Sequence, residues 1–249
     1  MANSAFMGPG FLQSKRDFTD AGQEVMAAVS KRDAAGQGPR KASREVRRLQ
    51  LIEATIETLA QRGYARITLS DVAATAGLSH GLVNFHFKSK EQLLTETLLF
   101  LAEEYRANWT AALAAATDTP AARLDALLRA DFNEAVYTSN RLKAWCAFWG
   151  EAQSRPIYQE KCGSNDLHYV EVMEGICADL NREGRYRHDV VQVARIVRVT
   201  VEGLWLDMIT ATATYPPDEA LRTVFTCAAA LFPRHFGVNG LFAETSPRL

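Results

Sequence analysis

With 249 residues, 47% of them hydrophobic, the chain can bury a sizeable core as one large or two modest domains. Its formal charge is near balance at −1, so no global basicity announces a nucleic-acid partner. Cys146, Cys162, Cys177 and Cys227 stand far apart, with no C-x-x-C pair and no histidine at metal spacing, and neither a membrane span nor a signal peptide is visible. The expectation is a cytoplasmic protein with reduced thiols, without membrane contact, metal or cofactor.

Behind the balance lies an asymmetry. Residues 40–90 carry nine Lys/Arg against four Asp/Glu, a net of +5, whereas residues 91–249 carry fifteen against twenty-one, a net of −6. A basic head on an acidic body is the footprint of a protein whose nucleic-acid contacts sit in one part of the chain. Residues 1–42 are rich in Gly, Ser, Ala and Gln and are broken at Gly8-Pro9-Gly10 and Gly36-Gln37-Gly38-Pro39. They read as a flexible arm with at most a weak helix over 20–35. An ordered decoration, an arm that touches DNA and translation from an upstream start stay open for it.

The cluster Arg40, Lys41, Arg44, Arg47 and Arg48 leads into a first helix over 44–62, whose Leu49, Ile52, Ile56 and Leu59 share one face and which ends at Gly63. Arg44 and Arg48 lie where phosphates could be met, although a solvated helix start would look the same. Next comes TLSDVAATAGLSHGLVNFHFKSK, Thr68 to Lys90. Thr68 suits the N-cap of a short helix with Leu69, Val72, Ala73 and Ala76 on its apolar face. Gly77 suits the left-handed residue that ends it, and Ser79 caps a second helix with Leu82, Val83 and Phe87 turned inward. Two short helices joined this way make a helix-turn-helix, whose second helix enters the DNA major groove; an ordinary helical hairpin is the alternative. His80, Gly81 and Asn84 face outward as base-edge candidates, and Asn matches the paired donor and acceptor of adenine. Thr68, Ser79, His86 and Lys90 are phosphate candidates.

A long helix then starts near Lys90 and runs to about 116, with Leu94, Leu98, Leu101 and Tyr105 as its seam. Five more follow over 120–137, 140–154, 157–183, 189–212 and 217–235, and no alternating strand pattern occurs. The expected fold is all-α. Phe132, Trp145, Phe148, Trp149 and Trp205 concentrate aromatic surface in this part, with Glu134, Glu151, Glu202 and Asp207 near them in sequence. Aromatic walls beside a carboxylate suit a quaternary ammonium ion, held by ring quadrupoles at ~0.5–2 kcal/mol per ring. Ordinary core packing would also place tryptophans at helical spacing.

The run T-x3-VA-x2-AGLS-x-G-x3-FHFKSKEQLL resembles the DNA-binding head of the tetracycline-repressor (TetR) family of bacterial transcriptional regulators, from Arg44 to Leu94. The resemblance implies a nine-helix protein with a three-helix helix-turn-helix head and a helical body. It also implies a homodimer joined by its last two helices, with Val193, Ile196, Val197, Thr200, Val201, Gly203, Leu204, Val224, Cys227, Ala228 and Leu231 as interface candidates. The family usually has a phosphate-reaching tyrosine where this chain has Phe85, leaving that backbone contact to the ring alone. In the body, Phe132-NEA, KAWCAFW and EGLWLDMI look like the choline-sensing repressors of glycine-betaine synthesis within that family. That likeness implies an effector such as choline or a related quaternary amine at Phe132, Trp145, Phe148, Trp149, Trp205 and Asp207. The expected layout is an arm at 1–42, a DNA-binding domain at 43–90, a ligand-binding and dimerisation domain at 91–237 and a tail at 238–249. A regulator of another pathway or of an efflux system with a different effector, or a DNA-binding protein with none, remains an alternative. For an enzyme there is no G-x4-GK-[ST], H-E-x-x-H or G-x-S-x-G.

Overall fold

A computed structural model of the chain describes residues 39–133, 136–152, 156–213 and 215–242. It divides into two compact units, Met1–Leu51 and Ile52–Leu249. The weak helix expected over 20–35 lies outside the described residues. Helix α1 spans Pro39–Arg62, beginning a few residues inside the stretch expected to be arm. Proline is at home there, because its fixed φ and missing N–H cost nothing in a first helical turn. Gly63 closes α1 with φ 74° and donates its N–H to the Leu59 carbonyl at 2.8 Å.

Eight further helices follow among the described residues: α2 Leu69–Ala76, α3 His80–His86, α4 Lys90–Ala115, α5 Pro120–Ala130, α6 Ser139–Ala152, α7 Pro156–Glu183, α8 Val190–Thr210 and α9 Pro217–Leu231. Side-chain caps set several of their starts. Ser89 accepts from the Gln92 N–H, Thr119 from Ala122 and Asp189 from Gln192. Each satisfies one of the orphan N–H groups of a first turn.

Two helices end earlier than periodicity suggests. α5 stops at Ala130, not at 137, because Asp131 turns its carboxylate into the core and the chain folds back through the bonds Val136 N–H to Asn133 O and Tyr137 N–H to Asn133 O. α9 stops at Leu231, not at 235, because Pro233 disfavours helical backbone at Phe232, which adopts φ −127° and ψ 60°. Beyond it β1 Phe236–Gly237 pairs antiparallel with β2 Gly240–Leu241, a short ladder that no alternating pattern announced. Gly240 takes φ 113°, and the Leu241 N–H reaches Asp125 Oδ1 at 3.1 Å, tying the first residues of the expected tail to α5.

In the second unit, α4 packs against α5 and α7, α7 against α8, and α8 against both α6 and α9. Leu124, Leu127, Leu128, Met173, Ile176, Leu180, Val197, Phe225 and Phe232 fill the centre. Of the interface candidates, Val193, Val197, Val201, Val224 and Ala228 belong to this core instead of facing outward. The α8 face left to solvent holds Ile196, Val199, Gly203 and Leu206, with the three side chains about half exposed. No helix among the described residues is long and apolar enough to cross a membrane.

Candidate functional site: reading helix and aromatic cavity

The α2–turn–α3 unit is held by short-range bonds. Thr68 and Asp71 form a reciprocal capping box: the Asp71 N–H donates to Thr68 Oγ1 at 3.2 Å, and the Thr68 N–H donates to Asp71 Oδ2 at 3.1 Å. The Thr68 hydroxyl also donates to Asp71, at 2.7 Å, and this bond, helped by Arg62 at 3.2 Å, holds the carboxyl below its ordinary range. Gly77 sits at φ 64°, and the Leu78 N–H returns to the Ala73 carbonyl at 2.9 Å, ending α2 with the 6→1 bond of a Schellman motif. Ser79 Oγ accepts from the Leu82 N–H at 3.3 Å, so α3 starts immediately.

Val83 and Phe87 are fully buried beneath α3, which fixes what it presents. His80, Gly81, Asn84 and Phe85 are exposed, Phe85 by 68%. Asn84 Nδ2 and His80 Nδ1 lie 3.1 Å apart across one helical turn, so the two base-edge candidates are already linked. Thr68 and Ser79 are exposed but engaged in caps, Lys90 is half-buried at the first position of α4, and Arg44 is exposed with Arg48 half-buried on α1. His86 differs from what its position in the motif suggested. Its ring is only 8% exposed and packs edge-on to Phe85 at 5.2 Å, so it lies within the head. Lys88, exposed just before α4, is a cation that sequence reading passed over.

The second site is a cavity of about 490 Å³ among α4, α6, α7 and α8, lined by residues including Tyr105, Tyr137, Trp145, Trp149, Asp166, Tyr169, Arg198, Glu202 and Trp205. Three of the aromatic residues expected from sequence come together here. Trp149 stacks on Trp205 at 6.3 Å, Trp145 lies 6.1 Å from Trp149, and Tyr137 stacks on Trp205 at 5.0 Å. Tyr105 meets Tyr169 at 5.5 Å and Trp205 at 5.9 Å. Glu202 pairs with Arg198 at 2.6 Å, and burial raises the Asp166 carboxyl above its ordinary range.

Phe132, Phe148 and Asp207 go elsewhere. Phe132 is in the core. Phe148 packs edge-on to Tyr64 at 5.8 Å, and the exposed Asp207 accepts from the Tyr215 hydroxyl at 2.8 Å. Glu134 lies outside the described residues. The tyrosines were missed because Tyr105 reads as one more position in the α4 seam, while Tyr137 and Tyr169 have no local pattern at all.

Behind the wall sits Asp131, fully buried, accepting from Tyr169 Oη at 2.8 Å and Tyr105 Oη at 3.2 Å. Its main-chain oxygen accepts from Trp205 Nε1 at 2.9 Å. α6 also reaches the helix-turn-helix side: Arg141 bonds Glu53 of α1 at 2.8 Å and Glu104 of α4 at 2.6 Å. Trp145, one turn along α6, and Tyr105, next to Glu104, both line the cavity. Among the described residues no cluster of His, Cys, Asp or Glu could hold a metal ion.

Residues 51–97 match the family model of bacterial regulatory proteins of the TetR family, and residues 120–233 match the C-terminal model of BetI-type transcriptional repressors. The HTH-type transcriptional regulator BetI of Burkholderia mallei is 31% identical over 170 residues, covering 68% of this chain and 84% of that protein. A transcriptional regulator of Pseudomonas aeruginosa PAO1 superposes with a TM-score of 0.65 at 26% identity, over 80% of this chain and 94% of the other. A regulator from Saccharomonospora viridis, solved in complex with choline, superposes at 0.64 with 19% identity, over 72% and 94%, and that likeness shows the fold alone. The chain belongs to the TetR family of bacterial transcriptional regulators, with a BetI-type C-terminal region.

Proposed function

We propose that the protein is a repressor that binds an inverted-repeat operator as a homodimer in the cytoplasm and is released by a small quaternary amine such as choline. The observation that carries the effector is the cavity: six aromatic residues, Tyr105, Tyr137, Trp145, Trp149, Tyr169 and Trp205, with Asp166 and Glu202 among them. A quaternary ammonium donates no strong hydrogen bonds, so stacked rings and nearby carboxylates are the chemistry that selects it. In this reading residues 43–90 form the DNA-binding domain and 91–237 the effector and dimer domain. His80, Gly81 and Asn84 meet base edges. Arg44, Arg48, Ser79, Phe85 and Lys90 follow the backbone, while Thr68 and His86 shape the head that presents them.

A dimer is needed because one head reads few base pairs, and two heads about 34–36 Å apart read adjacent major grooves. The α8 stripe of Ile196, Val199, Gly203 and Leu206 is the surface proposed to pair, with Gly203 allowing close approach. Arg141 supports coupling between the sites, since α6 carries a cavity wall and also bonds to α1. The test is a mobility shift of the purified protein on its own upstream intergenic DNA, titrated with choline, betaine aldehyde and glycine betaine. Release by one of them supports the reading. Tight binding indifferent to all three discards the quaternary-amine effector and leaves a regulator with another ligand.

A further inference from the structure

Asp131 has no cationic partner among the described residues. Its carboxylate is 0% exposed, its side-chain hydrogen bonds come from Tyr105 and Tyr169, and no ion pair reaches it. A carboxylate taken out of water without a counter-ion is costly, and the ordinary remedy is to keep it protonated. Burial pushes Asp131 up to about 7; the bonds from Tyr169 and Tyr105 offset part of this, and Glu202 adds to it. The groups around Asp131 are Tyr105 from α4, Tyr169 from α7, Tyr137 ahead of α6 and Glu202 from α8. The three tyrosines are themselves driven well above their ordinary range and stay neutral.

The two tyrosines that donate to Asp131 also line the cavity, so the carboxylate stands one ring behind the wall. A phenol that donates to a carboxylate has a more electron-rich ring and attracts a cation more strongly. We infer that Asp131 is the buried counter-charge of a cationic effector, acting through Tyr105 and Tyr169 as a positioning residue, and that the cation binds as the carboxyl loses its proton to bulk water. This rests on the cavity being the effector site. It makes effector affinity depend on pH even for a ligand that does not titrate, and it separates cations from neutral molecules of the same shape.

The test is isothermal titration of the full-length protein with choline at about pH 6 and about pH 8, in buffer pairs of differing ionisation heat. The expected result is roughly tenfold tighter choline binding at the higher pH with net proton release near pH 6, as follows when only the ionised carboxyl supports binding. The neutral isostere 3,3-dimethylbutan-1-ol should bind equally at both values. Asp131→Asn should bind choline roughly tenfold or more weakly than the wild type does at about pH 8, with no pH dependence, while unfolding cooperatively. If that variant does not fold, the comparison of choline with its isostere on the wild-type chain decides. Choline binding of equal strength at both pH values without buffer dependence overturns the inference, as does pH dependence that survives in Asp131→Asn. Failure of choline to bind at any pH overturns the inference together with the reading it rests on.

Discussion

In the head, side chains are fixed by partners a few residues away: Thr68 by Asp71, Ser79 by Leu82, and Asn84 by His80. In the cavity the corresponding distances along the chain are long, with Asp131 joined to Tyr105, Tyr169 and Trp205 across 26, 38 and 74 residues. Short-range bonding lets a small unit keep its shape while nearly all of its recognition surface stays in water. Long-range bonding makes the cavity inseparable from the core, so a change in its wall is felt by α4, α6, α7 and α8 together. The chain joins a locally specified helix-turn-helix to a globally specified aromatic cavity.

Substitutions should separate the two. The largest effect is expected from Trp205→Ala, which removes a buried indole stacked on Tyr137 and Trp149 and orphans the Asp131 main-chain oxygen. Urea unfolding should show a loss of roughly 3–5 kcal/mol, with effector binding lost as well. Gly77→Val should act on the head alone. The site has open space around a Cβ but φ 64°, so strain of ~1–3 kcal/mol falls on the backbone of the turn. Operator binding should weaken sharply in mobility shifts while choline titration is unchanged.

Asn84→Ala should cost ~1–3 kcal/mol on operator DNA and little on unrelated DNA, and equal loss on both would remove Asn84 from the base-edge contacts. Smallest is Lys90→Ala, for which the salt slope of DNA binding should fall by about 1. An unchanged slope would place Lys90 off the phosphates.

Protonation gives a sharper contrast. Asp131 in the folded chain titrates near 7, well above its ordinary 3.8, so folding takes up a proton between those values. Stability contributed by the neutral carboxyl is present at low pH and declines as pH rises toward about 7, then levels off. Urea midpoints measured across that window should show the decline in the wild type and a flatter profile in Asp131→Asn.

The difference in construction also explains what could be read from sequence. The caps at Thr68 and Ser79, the turn at Gly77 and the inward Val83 and Phe87 are legible because each depends on residues within one or two helical turns. His86 escaped this reading: one residue past exposed Phe85, its ring turns into the head. Trp145 and Trp149 were legible as a pair by their i, i+4 spacing, and Trp205 joined them through the body motif. Phe132, Phe148 and Asp207 show the limit, because closeness in sequence to the tryptophans does not fix which way a side chain points. Tyr105, Tyr137, Tyr169 and Asp131 become a site only when four helices and the turn after α5 are packed, and no periodicity encodes that packing. The early end of α5 belongs to the same problem, since the turn at Asp131 is stabilised by partners far along the chain.

The link between the two regions is tested most directly by measuring choline affinity through tryptophan fluorescence, on free protein and on protein saturated with its operator. If the sites are coupled, choline binds more weakly to the DNA-bound protein by the same factor by which it weakens operator binding, ~5–150-fold. Equal choline affinity with and without operator would contradict the coupling and leave the cavity and the reading helix as independent sites.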